Sequence, residues 1–164
     1  LPCFVSEKSL ELFEGMGVLS ETEVRSRYEC KLEKYVKRMN IEVRTMLRMA
    51  ERTYLPQVSA YATKIAKGIS TVRAVAPDAP MESESALLNT LLDGVTEINR
   101  ALGALDAEHE EAMAFTDLQQ QAYWYARKVI PAMDELRTAV DNMEPVVARD
   151  YWPVPTYDDM LFYV

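Results

Sequence analysis

Apolar residues recur at steps of three and four almost from end to end of the chain, and no stretch sustains the period-two alternation of a half-buried strand. An all-α protein is predicted. Ser6 ahead of Glu7-Lys8-Ser9-Leu10-Glu11-Leu12-Phe13 marks a short capped N-terminal helix, ended by Gly15 and Gly17. Ser20-Glu21-Thr22-Glu23 is a capping box, in which the serine hydroxyl and the third-position carboxylate each satisfy an orphan backbone N–H. From there Val24, Tyr28, Leu32, Tyr35, Met39, Val43, Met46, Ala50, Tyr54, Val58, Tyr61, Ile65, Ile69 and Val72 hold one face until Pro77. Their mean step of about 3.7 residues is close to that of a straight helix. One very long helix over about 21–75 is expected, roughly 80 Å if continuous. Pro56 removes one hydrogen bond and crowds the preceding turn, which predicts a kink between Arg52 and Pro56 rather than a break.

Ala76-Pro77-Asp78-Ala79-Pro80 is a turn. A second helix follows over about 82–114, carrying Leu88, Leu91, Val95, Ile98, Leu102, Leu105, His109 and Ala112. Thr116-Asp117 starts a third, over about 117–149, carrying Leu118, Ala122, Tyr125, Val129, Met133, Leu136, Val140, Met143 and Val147. The lengths fit an elongated antiparallel bundle, read as a single helical domain over 1–164. The start of the long helix, about Glu21 to Asn40, overhangs, with only the short N-terminal helix and the C-terminal tail left to cover it.

Charge changes this picture in one respect. The chain of 164 residues carries 18 Lys+Arg and 26 Asp+Glu, a formal charge of -8, which argues against phosphate-backbone binding and so against a nucleic-acid partner. The balance is uneven. Residues 21–75 hold 12 basic and 6 acidic side chains, whereas residues 76–117 hold 1 basic and 10 acidic. Antiparallel packing is expected to set opposite charges along the seam of the first two helices, where they select a partner more than they stabilise.

The chemistry on offer is sparse. Five glycines form no phosphate-cradling loop, and one histidine cannot build the sites that most catalytic metals use. His109, with Asp106 three residues before it, is read as a structural histidine, because a two-metal bundle site needs that motif twice. No nucleophile, base and orienting acid can be assembled, so no catalytic, cofactor or metal residue is assigned. Cys3 and Cys30 are read as free thiols in a reducing cytoplasm. No run of roughly 18 apolar residues appears, so no membrane partner is expected. The start at Leu1-Pro2, without methionine or a leader-like segment, suggests a piece of something longer.

Three features are candidates for docking. Arg44, Arg48 and Arg52 form an i, i+4 row off the apolar face, able to grip a carboxylate-rich or phosphate-bearing partner, although a solvated face paired to nearby acids is the commoner use of such a row. Among nine methionines, Met39, Met46 and Met49 either fill the core or mark an adaptable groove. The tail gathers Tyr151, Trp152, Pro153, Pro155, Tyr157 and Phe162, whose apolar surface must be covered either by this bundle or by another domain or subunit.

Leu1-Pro2 with Phe4-Val5-Ser6-Glu7-Lys8, then Leu12-Phe13-Glu14, Val18-Leu19-Ser20-Glu21 and Ser26-Arg27-Tyr28-Glu29, resembles the segment just after the catalytic domain of bacterial type III glutamine synthetases. So do Asn40-Ile41-Glu42, Tyr54-Leu55-Pro56, Ile130-Pro131-Ala132-Met133 and Tyr151-Trp152-Pro153-Val154-Pro155-Thr156-Tyr157. The resemblance covers both ends and most of the middle. It implies a cytoplasmic parent enzyme that makes glutamine from glutamate, ammonia and ATP through a γ-glutamyl phosphate, with Mg or Mn, in a ring-built homo-oligomer. It also implies that the metal and nucleotide ligands belong to the upstream catalytic domain, whose motifs are not found in this chain. On that reading 1–19 is a connector, 20–149 a bundle and 150–164 a docking tail, and the partners are the enzyme's own catalytic domain and neighbouring subunits. A free-standing helical adaptor is the alternative.

Overall fold

The computed structural model describes residues 2–161, and all regular structure among the described residues is helical. After a 3-10 turn at Pro2–Val5, α1 spans Glu7–Gly15, and Gly17 takes the positive φ of 62° that lets the chain turn away. The helix α2, Glu21–Met49, starts at Ser20 as the capping box predicts. The Ser20 N–H donates to Glu23 Oε2 at 2.8 Å, and the Glu23 N–H donates to Ser20 Oγ at 3.4 Å. The bond from the Ser20 N–H, with a second donated by the Ser20 hydroxyl to the same Oε2 at 2.9 Å, holds the Glu23 carboxyl below its ordinary range.

The long helix runs on from α2 into α3, Leu55–Val75, through one π turn at Ala50–Tyr54. Met49, Ala50, Tyr54 and Leu55 keep right-handed helical backbone, so Pro56 is met by a widened turn and not by a break. The extra residue relieves the clash between the proline ring and the carbonyl four positions earlier. The same device recurs in the third helix. There α5 at Leu118–Trp124 passes through a π turn at Tyr125–Val129 into α6, Ile130–Asp141, whose second residue is Pro131.

Between them, α4 spans Glu82–Ala114. It returns antiparallel along α3 and reaches α2, while α5 packs on α2 and α6 on α4. Val24, Val43, Val58, Leu91, Ile98, Leu105, Tyr125, Val129 and Leu136 are fully buried between these helices. Each large apolar side chain so buried stabilises the fold by roughly 1.5–3 kcal/mol.

Three expectations change. The third helix ends at Asp141 and not near 149, because Pro145 cannot continue the hydrogen-bond ladder and disfavours helical backbone just before it. Met143 and Val147 remain buried, but in turns. The overhang of the long helix is covered in part by α5, whose Gln119 Oε1 accepts a hydrogen bond from Tyr28 Oη at 3.1 Å, and the tail lies elsewhere. The charged seam is absent as ion pairs. Among the described residues no ion pair joins residues 21–75 to residues 76–117, and five of the seven lie within one helix at i, i+3 or i, i+4. Apolar burial, not charge, holds α4 to the long helix.

Candidate docking surfaces

Arg44, Arg48 and Arg52 are all exposed and enter none of those ion pairs. Arg44 faces the end of α4 closely enough for its charge to act on His109 and Tyr125. Ile41 stands in the same outward row and is 67% exposed. A shallow depression beside it is lined by Cys30, Lys34 and the ion pairs Lys37–Glu33 and Arg38–Glu42.

The tail docks on this chain. Trp152 is buried against Tyr54 with ring centroids 5.3 Å apart, and Tyr151 lies 5.3 Å from the Tyr61 ring with Lys64 Nζ 5.0 Å from its own centroid. Pro153 is half-buried and Pro155 exposed. Thr156 and Asp159 cap α7, Tyr157–Leu161, by exchanging two hydrogen bonds, and Arg149 pairs with Asp159. The Thr156 amide is the main reason that the Asp159 carboxyl lies below its ordinary range. Phe162 and the side chain of Tyr157 lie outside the described residues. Arg52 belongs to the same π turn as Tyr54, so the last arginine of the row and the docked tail share one turn of the long helix. Arg44 and Arg48 lie further back along α2.

The methionines divide between both readings. Met39 is buried in the core, whereas Met46 and Met49 line an open groove of about 430 Å³ with Ile41, Tyr54, Leu136 and Val140. A larger groove, of about 690 Å³, lies between the start of α2 and α5 and is walled by Tyr28, Leu32, Tyr35, Phe115, Tyr123 and Trp124. Sequence reasoning placed Tyr28 and Tyr35 on the core face and overlooked this groove. The cluster Tyr123-Trp124-Tyr125 was the available signal, since three successive aromatics cannot all face one core.

His109 is buried, with Nδ1 3.3 Å from Tyr125 Oη, and Tyr125 Oη lies 3.6 Å from Met113 Sδ. Burial pushes its imidazole below the ordinary histidine range, Arg44 adds to this, and Asp106 and Glu110 oppose it. Neutral His109 is therefore the native form. Above the unfolded-state pKa of about 6.5 its contribution to stability is complete, and it is lost as pH falls toward the lower folded value. Urea unfolding between pH 7.5 and 5.5 is expected to show that loss, and His109→Gln to remove most of it. The carboxylates of Glu23 and Asp159, also held low, act only below about pH 4.5.

Among the described residues no group of three His, Cys, Asp or Glu side chains is arranged to hold a metal ion, and no helix is long and apolar enough to cross a membrane. Cys3 and Cys30 are exposed and unbonded.

Residues 1–73 match the family described as Glutamine synthetase C-terminal domain. A glutamine synthetase of Butyrivibrio fibrisolvens is 31% identical over 162 residues, 99% of this chain and 23% of that protein. A type-3 glutamine synthetase of Dictyostelium discoideum is 28% identical over 164 residues, 96% of this chain and 22% of its own length. A glutamine synthetase of Bacteroides fragilis is 23% identical across 97% of this chain and 22% of its own. The chain thus spans less than a quarter of the length of these curated relatives.

Proposed function

Because the chain belongs to the glutamine synthetase C-terminal domain family, we propose that it is a noncatalytic accessory module that helps to assemble a cytoplasmic enzyme ligating ammonia to glutamate with ATP. ATP and Mg or Mn are bound by the remainder of that enzyme, and this segment meets its own catalytic domain and neighbouring subunits. One observation carries the reading. The chain combines one apolar core with two open grooves and, among the described residues, an arginine row that enters no ion pair. Such a chain contributes shape and surface.

The rigid part of that surface is the long helix. Its one π turn lets Pro56 sit inside an otherwise continuous helix from Glu21 to Val75. Arg44, Arg48 and Arg52 supply charge, and the docked Tyr151 and Trp152 shape the surface around Tyr54 and Tyr61. The test is removal of residues 1–164 from the complete protein. Sedimentation is expected to show smaller particles, and unchanged particles with unchanged activity contradict the reading.

A further inference from the structure

The two halves of the chain carry opposite charge that they do not spend on each other. On the exposed side of α2, Arg44 and Arg48 follow Ile41 at three and seven residues, Arg52 continues the row in the π turn, and among the described residues none of the three enters an ion pair. On α4, Asp93, Asp106, Glu110 and Glu111 are exposed and enter no ion pair among the described residues. Between those acids the surface is low, because Gly103 has nothing within 4 Å of the place where a side chain would start, and Ala107 follows it four residues on. An exposed isoleucine followed by a row of arginines on one face thus matches a small-residue strip with the Glu97-paired Arg100 at one end and Glu110 and Glu111 at the other.

We propose that the cationic face of α2 docks on the acidic face of α4 of a second copy of this chain, with Ile41 over Gly103 and Ala107, and Arg44 and Arg48 toward Glu110 and Glu111. Within one chain α2 and α4 meet through their apolar sides, and although the charge of Arg44 reaches His109, no ion pair among the described residues joins the two helices. Every copy carries both faces, so one contact type is enough to join subunits. Opposite charges across such a contact choose the partner and speed the encounter, and the wrong pairing of like charges is penalised. The inference rests on the assembly reading above for the expectation that copies come together, and it names the surface that brings them together.

The test is a charge exchange in the complete protein. Arg44→Glu with Arg48→Glu, and separately Glu110→Arg with Glu111→Arg, are each expected to weaken subunit association roughly a hundredfold, because each sets like charges face to face. All four positions are exposed, so folding, followed by circular dichroism, is expected to be kept. An equal mixture of the two variants is expected to associate again, because one variant is then acidic and the other basic on both faces, and each contact between unlike copies sets opposite charges together. Raising salt from about 0.1 to 1 M, which cuts the screening length from about 10 to 3 Å, is expected to weaken the unaltered protein. Variants that assemble normally overturn the inference. So does a mixture that stays apart, in which case the arginine row serves another acidic surface such as the catalytic region. Removal of the whole segment separates the two readings: smaller particles there, with normal assembly of both charge variants, leave the accessory role standing and remove only this interface.

Discussion

Tyr125→Ala is expected to cost about 4 kcal/mol of folding stability, the largest single effect among the residues described above. Tyr125 is completely buried at the first position of the second π turn, between α4 and the third helix. Truncating it empties an aromatic-sized volume and strips His109 Nδ1 of its hydroxyl partner at 3.3 Å. Two costs add there, the cavity and a buried polar atom left alone. Tyr125→Phe separates them, since it keeps the ring and loses only the hydroxyl, and is expected to cost about 1 kcal/mol. Urea unfolding of the two variants checks both figures. A Phe variant as damaged as the Ala variant would show that the hydrogen bond, not the ring, dominates.

Trp152→Ala is expected to cost about 3 kcal/mol and to lower the melting temperature by roughly 6–12 °C. Trp152 is 8% exposed and its ring lies tilted against Tyr54, so the substitution uncovers the π turn as well as the tail. Trp152→Phe is expected to lose much less. Phenylalanine retains the aromatic contact and removes an indole N–H that has no partner among the described residues. Calorimetry checks the pair. Tyr151→Ala, whose ring is only half-buried on Tyr61, is expected to fall between Trp152→Phe and Trp152→Ala.

The parts of this fold that were legible in the sequence are those that local chemistry decides. Ser20 and Asp117 start helices because each side chain reaches a backbone N–H two or three residues ahead, and Asp117 Oδ1 accepts from Gln119 and Gln120 at 2.7 and 2.9 Å. The apolar stripe of the long helix is equally local, and most of its positions are buried or half-buried. At its far end the pattern outruns the packing, since Val72 is 40% exposed although it continues the stripe. Periodicity reports which side is apolar, not whether a partner covers it.

Long-range choices were not legible. Nothing near Trp152 specifies Tyr54 as its partner almost a hundred positions earlier, and the tail read equally well as free to dock elsewhere. Pro131 resembles a helix breaker no more or less than Pro145 does, yet the first is absorbed by a π turn and the second follows the end of a helix. The difference lies in tertiary support. Val129 and Leu136 on either side of Pro131 are fully buried, so leaving the helix there would expose both, whereas beyond Asp141 turns keep Met143 and Val147 buried without a helix. The charge asymmetry was visible in the sequence, but its natural reading was an intramolecular seam. Apolar faces took that seam, and the ion pairs among the described residues lie mostly within single helices.

The central claim is that this chain builds an enzyme's assembly without taking part in its chemistry. The most direct measurement is the mass of the particles formed by the complete protein from which residues 1–164 have been removed, before and after purified 1–164 is added back. Smaller particles that regain their size on addition, with the added chain alone showing no glutamine formation, are the predicted result. Full-sized particles without the segment, or glutamine formation by the segment alone, would contradict the claim.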